Sequence, residues 1–220
     1  MVNPVAVFDL DSTLIEGDCE LLWCEFMGHK GMVDASFLKT VEFYCVEYEE
    51  GRLDYVEFEK FILGPLTSLS STAGQALVDE FLLGLQKLIR PYMLQIVEEH
   101  RTHGDVLLLA TASNSILAQP VARLLGIPNL VCTWMKMVDG VPTGELAGAA
   151  PFREGKADQV KVWISENPVT LAESWGYSDS HNDLPILNLV AHPVAVTPDK
   201  VLRHYAQQNG WPIIEKQAAP

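Results

Sequence analysis

A chain of 220 residues that is 48% hydrophobic has enough apolar mass for one buried core plus a small insert, and is too apolar to be a disordered chain. Its 15 Lys and Arg against 29 Asp and Glu leave a formal net charge of −14. That excludes a nucleic-acid surface, which needs clustered Lys and Arg, and disfavours an anionic membrane surface.

No stretch is long and apolar enough to span a bilayer. The N-terminus has no basic segment, and its apolar run is too short for a signal peptide. Cys19, Cys24, Cys45 and Cys132 show neither C-x-x-C nor histidine partners at zinc spacing. A cytoplasmic protein is the expectation, with the oligomeric state, a homo-oligomer included, left open.

Val5-Ala6-Val7-Phe8 is a short apolar run, largely β-branched, as a buried strand would be, and Asp9 and Asp11 fall where it ends. Glu16-Gly17-Asp18 breaks the run. Asp18 is placed to cap a helix through Leu21, Leu22, Trp23, Phe26 and Met27 that stops near Gly28 or Gly31. Phe37, Val41, Tyr44 and Tyr48 at helical spacing predict a second helix over 35–49. Asp54 caps a third, carrying Phe58, Phe61 and Ile62 and ended by Gly64-Pro65. A fourth covers 72–88. Residues 16–88 thus read as a helical cap inserted after the first strand, between core segments 1–15 and 89–220.

Pro91 suits the first turn of a helix to His103, where His100 and His103 fit the negative end of the helix dipole better than a metal. Further strands are expected at 105–110, 130–132, 173–177 and 193–196. Helices are expected over 115–125 and 184–190, with another running from Phe152-Arg153-Glu154-Gly155-Lys156 through Ile164. A hairpin over 135–146 turns at Asp139-Gly140, and Trp211-Pro212-Ile213-Ile214 reads as an edge strand. This alternation predicts an α/β fold, a doubly wound (Rossmann-like), mostly parallel sheet with an inserted helical cap.

Open α/β sheets place their chemistry at the carboxyl ends of strands. Two carboxylates one residue apart repel each other, and a divalent cation is the usual compensation. Alone, Asp9-Leu10-Asp11-Ser12-Thr13 is equally a strand followed by an Asx-type turn. Taken singly, Lys156 is a solvated helix-start residue, Thr111 competes with Ser113 and Asn114 to cap the next helix, and Asp179 and Asp183 are turn and cap acids. But Thr111, Lys156 and the Asp179–Asp183 cluster follow the first motif in one order, each in a strand-then-polar context. This set resembles the haloacid dehalogenase (HAD) phosphatase superfamily, in particular its subfamily IB, to which the phosphoserine phosphatases belong. The resemblance spans residues 5 to about 200.

The resemblance implies a Mg²⁺-dependent phosphomonoester hydrolase acting on a small phosphorylated metabolite through an aspartyl-phosphate. Asp9 would be the nucleophile, and Asp11 the general acid and base. Lys156, the Thr111 hydroxyl and the Ala112 N–H would neutralise and cradle the phosphoryl group. Mg²⁺ takes oxygen ligands and keeps several waters. Asp9, the backbone carbonyl of Asp11, and Asp179 would hold it, with Asp183 on a metal-bound water and Asn182 orienting the site.

In phosphoserine phosphatases an acid at the start of the cap grips the substrate ammonium, and Asp18 stands at the matching position, one methylene shorter than their Glu. Their carboxylate-binding arginine falls on Ile62, beyond the matching Glu50-Gly51-Arg52-Leu53, with Lys60 nearby. Loss of a guanidinium removes bidentate carboxylate recognition. The expectation is therefore an amino-alcohol phosphate or a phosphoserine-like substrate, an amine-bearing phosphomonoester that need not carry a carboxylate, histidinol phosphate being a candidate, gripped by Asp18 and packed on Trp23 or Phe26. Trp23 and Phe26 are equally explained as packing within the helices. The alternatives are a phosphotransferase or dehalogenase on the same fold, a non-enzymatic phospho-accepting regulatory domain, and a silent binding protein. Dehalogenation is disfavoured because a halide leaving group needs no proton from Asp11.

Overall fold

The computed structural model describes residues 2–50, 52–148 and 154–216; Gly51, Phe152 and Arg153 lie outside the described residues. β1 (Asn3–Phe8) leads into four helices, α1 (Cys19–His29), α2 (Ala35–Glu49), α3 (Tyr55–Thr67) and α4 (Ser71–Leu85). Then come α5 (Pro91–His103), β2 (Val106–Asn114), α6 (Ser115–Leu124), β3 (Asn129–Thr133), the hairpin strands β4 (Met135–Val138) and β5 (Val141–Leu146), and α7 (Glu154–Glu166). β6 (Val169–Ser178), α8 (Leu184–Leu187), β7 (His192–Val196), α9 (Lys200–Asn209) and β8 (Ile213–Ile214) complete the chain.

Six strands form one parallel sheet in the order β3-β2-β1-β6-β7-β8. The order reverses at β1, so its carboxyl end opens on the crevice where such sheets bind ligands. Alternation along β1 decides what meets what, because successive side chains point to opposite faces. Ala6 and Phe8 join Met93 and Val97 of α5 and Leu117 and Val121 of α6. Val5 and Val7 join Ala157 and Val160 of α7. Both faces are covered, which is why the strand is apolar throughout. Asp9 continues the parity of Val5 and Val7 and comes out on the α7 side.

The helical segment leaves and rejoins the sheet through one narrow crossing. Ile15 and Ile89 form an antiparallel bridge. Glu16 N–H donates to Leu88 O (2.7 Å) and Arg90 N–H to Leu14 O (2.9 Å). The β4–β5 hairpin turns at Asp139 and Gly140, both left-handed (φ 51° and 77°), as the favoured two-residue turn requires.

Several elements differ from the sequence reading: β6 begins at Val169, ahead of the expected 173, and α8 stops at Leu187, short of the expected 190. α3 passes through Gly64-Pro65 to Thr67, because Pro65 enters only in its last turns and costs one interior hydrogen bond. β2 runs past Ala110 to Asn114, shifting register against β3 after Ala110. α9 was not anticipated; Asp199 caps it by accepting from Val201 and Leu202 N–H, and left-handed Gly210 ends it.

Candidate active site

Asp9 directly follows β1, its N–H donating to Tyr177 O at 2.9 Å as a continuation of the sheet ladder. α7 brings Lys156 across the crevice from its first turn. Lys156 Nζ donates to Asp9 Oδ1 (2.6 Å) and to Asp183 Oδ2 (2.9 Å), and all three side chains are buried. Ser178, the last residue of β6, also donates to Asp183 Oδ2 (2.7 Å). Burial lowers the lysine's proton affinity, but Asp183 and Asp9 outweigh it and hold the ammonium charged well above its usual range. Asp9 is pushed up to about 7, chiefly by burial, against the pull of Lys156.

Asp11 is held from both sides. Cys19 N–H, at the start of α1, donates to Oδ1 (2.7 Å). Ser113 Oγ (2.8 Å) and Thr111 Oγ1 (3.3 Å) donate to Oδ2. Burial, with Asp18 adding to it, raises Asp11 to about 7. Thr111 also accepts from Ser113 N–H (3.1 Å). The carbonyl of Ala112 takes the hydroxyls of Tyr55 (2.8 Å) and Thr133 (2.5 Å), which fixes the turn between them. Ser12 is left-handed (φ 53°), and its N–H bonds Gly17 O at 2.9 Å, closing the loop that carries Asp11 into α1.

Asp179, after β6, accepts a long bond from Thr13 Oγ1 (3.4 Å). Burial, then Asp9 and Asp183, push it up to about 8. Four carboxylates thus gather about one lysine, which pairs with two of them, and burial, reinforced by neighbouring carboxylates, raises Asp9, Asp11 and Asp179. Among the described residues no three His, Cys, Asp or Glu side chains converge as a closed metal cage. A hard cation that keeps its waters does not need one: Asp9, Asp179 and the Asp11 carbonyl are all-oxygen donors, so the residues fit Mg²⁺.

The helical segment closes over this floor. Asn182 Nδ2 donates to Tyr48 OH of α2 (3.1 Å). Asp18 caps α1 through Oδ1, accepting from Glu20 and Leu21 N–H at 2.9 Å each. Burial raises its carboxyl, and Asp9 contributes to the rise. Trp23 is fully buried, with Phe81 and Phe26 at ring distances of 5.4 and 5.6 Å. This stack favours the packing reading of Trp23, and the partly buried Phe26 ring joins it. Arg52 turns away to pair with Glu47 (2.6 Å) and Glu50, and Ile62 is fully buried.

Ser113, Ser178, Tyr48 and Tyr55 had not been singled out for this site. Ser113 carried a signal, standing two residues after Thr111 and hence on the same side of an extended strand. A separate cavity of about 230 Å³ between α4, α6 and the hairpin shares no residue with this site.

The model of the haloacid dehalogenase-like hydrolase family matches residues 6–188, and the chain belongs to that family. It is a phosphatase-type member. A histidinol-phosphatase of Neisseria meningitidis serogroup C is 37% identical over 220 residues, covering 97% of this chain and 99% of its own length. A Bordetella pertussis Tohama I protein of unknown function has a solved structure that superposes with a TM-score of 0.89 at 33% identity, over 97% of this chain and 99% of that one. A substrate-bound phosphoserine phosphatase complex shares the fold, with a TM-score of 0.69 at 16% identity over 97% and 93% of the two chains. Membership of a hydrolase family sets aside the non-enzymatic regulatory domain. Among the described residues no helix is long and apolar enough to cross a membrane.

Proposed function

We propose that this chain hydrolyses a small amine-bearing phosphomonoester, of the histidinol phosphate kind, through a phosphoryl group carried on Asp9. The observation that carries the reading is the Lys156 ammonium held between Asp9 and Asp183 at the carboxyl end of β1. It puts a fixed positive charge beside a strand-end carboxylate, as an incoming phosphoryl group requires.

An oxygen of Asp9 attacks phosphorus, forming the acyl phosphate as the P–O bond to the alcohol breaks. Asp11 gives its proton to the departing alkoxide. It then takes a proton from the water that attacks phosphorus, releasing phosphate and restoring Asp9. A value near 7 lets Asp11 do both. Thr111, the Ala112 N–H and Lys156 cradle the phosphoryl oxygens. Asp9, Asp179 and the Asp11 carbonyl would hold Mg²⁺, whose charge offsets the crowded carboxylates and the phosphate when it is bound; Asp183 and Asn182 steady that side.

Residues 16–88 act as a cap on a core of 1–15 and 89–220, a division supported by the Ile15–Ile89 crossing. Asp18 meets the substrate ammonium. The outward turn of Arg52 and the burial of Ile62 support a substrate without a carboxylate, as does the likeness to the Neisseria histidinol-phosphatase. Cys19, Cys24 and Cys132 are buried thiols whose proton affinity burial raises, which suits the cytoplasm. The test is phosphate release from histidinol phosphate, phosphoethanolamine, phosphoserine and sugar phosphates, with and without Mg²⁺. Metal-dependent turnover with histidinol phosphate first is expected. Phosphoserine clearly first would overturn the substrate reading, and no turnover at all the enzymatic one.

A further inference from the structure

Behind Asp18 the chain buries two more acids that the hydrolytic steps do not use. Glu20 of α1 is 4% exposed and Glu59 of α3 is 0% exposed. Both meet Asn114, the last residue of β2. Glu20 Oε1 accepts from Asn114 N–H and from its side-chain Nδ2 (2.7 Å each), and Glu59 Oε2 accepts from the same Nδ2 (3.1 Å). Asn114 adjoins Ser113, which donates to Asp11, so the residue that holds the pair is the chain neighbour of one that holds the general acid.

No lysine, arginine or histidine pairs with either carboxyl among the described residues. Glu59 Oε1 is buried without any hydrogen-bond donor. A buried acceptor left unmade costs about 1–3 kcal/mol, more when charged. Among the described residues its relief is a proton shared with Glu20, whose carboxyl hydrogen-bonds with it. Burial, joined by this crowding, drives Glu20 well above its ordinary range, and burial holds Glu59 at about 8. A core built only for packing would carry apolar side chains there at less cost.

We infer that Glu20 and Glu59 form a second recognition subsite, deeper than Asp18, for a cationic N–H-bearing group at the far end of the substrate. An imidazolium or a second ammonium would supply the donor that Glu59 Oε1 lacks, in place of the shared proton. A carboxylate at the same place would meet only acceptors. The pair thus selects phosphate esters with two nitrogen-bearing groups, and Asn114 orients it from the core side. This rests on the phosphomonoesterase reading of the site.

The test compares hydrolysis of histidinol phosphate, which carries an ammonium and an imidazole, with that of phosphoethanolamine, which carries only the ammonium. The readout is the ratio of kcat/KM for the two in wild type, Glu59→Gln and Glu20→Gln. Glutamine keeps the shape and can still serve Asn114, so a merely structural pair predicts an unchanged ratio. A subsite predicts a ratio at least tenfold lower, carried by KM for histidinol phosphate. A ratio within threefold of wild type in both variants overturns the inference. If both variants fail to fold, competition on wild type decides. Histidinol inhibiting at least tenfold more tightly than ethanolamine supports the subsite, and equal inhibition overturns it. Wild type inactive on every phosphomonoester would instead defeat the underlying reading.

Discussion

Past the carboxyl ends of the central strands β1 and β6, Asp9 and Asp183 share the ammonium of Lys156, whereas Glu20 of α1 and Glu59 of α3 share the amide of Asn114. Both clusters are buried and acidic. The first contains a cation, and its acids are held in reach of an anion. The second has only a neutral amide partner, and its last acceptor depends on a proton shared between the two acids. One end of the crevice is thus suited to a phosphate and the other to a cation. The same group, a buried carboxyl, does opposite work according to what neutralises it. For a chain of net charge −14, local balance decides the ligand, not bulk charge.

The largest effect should come from the cluster that contains the cation. Asp9→Asn is expected to lower kcat by about 10⁴-fold or more while the protein stays folded, read by phosphate release and thermal melting. Asp11→Asn should cost about 10²–10⁴-fold, with least loss for esters of acidic phenols, whose leaving groups need no proton. Lys156→Met leaves Asp9 and Asp183 buried without their cation. A loss of about 3–5 kcal/mol is expected by urea unfolding at pH 8, along with activity. Equal stability of that variant and wild type would break the contrast between the two clusters.

The cluster without a cation should show itself through pH. Glu59 binds its proton more tightly folded than unfolded, moving from 4.5 to about 8. Its protonated form therefore stabilises the fold below about pH 4.5, and that contribution is lost as pH rises toward 8. Wild type should lose stability over this window, and Glu59→Gln should lose less, by unfolding at pH 5 and pH 8. The smallest effect is at the rim. Tyr48→Phe removes the acceptor for Asn182 and should raise KM a few-fold, about 0.5–1.5 kcal/mol, with kcat little changed.

The strand-end motifs were legible because alternation, strand ends and acid spacing are local. Val5 to Asp11 announces a buried strand and its exit without knowledge of the rest, and Asp18 and Asp54 each cap the helix that follows, as their positions predict. Glu20 and Glu59 were not legible. Each looks like a solvated helix acid, and only the packing of α1 and α3 on Asn114 turns them inward. For Trp23 the sequence left packing and ligand contact equally open, because its neighbours Phe26 and Phe81 are set by tertiary packing. α9 carried a signal in Asp199, Leu202, Ala206 and Gly210, but its polar face hid the apolar period.

The most direct measurement is to quench wild type within milliseconds of mixing with histidinol phosphate and Mg²⁺, digest it in acid, and locate the phosphoryl group by peptide mass spectrometry. The expected result is one acid-stable, base-labile phosphoryl group on the peptide bearing Asp9, absent from Asp9→Asn. A phosphoryl group on any other residue, or turnover retained by Asp9→Asn, would contradict the assignment of Asp9 as the group that attacks phosphorus.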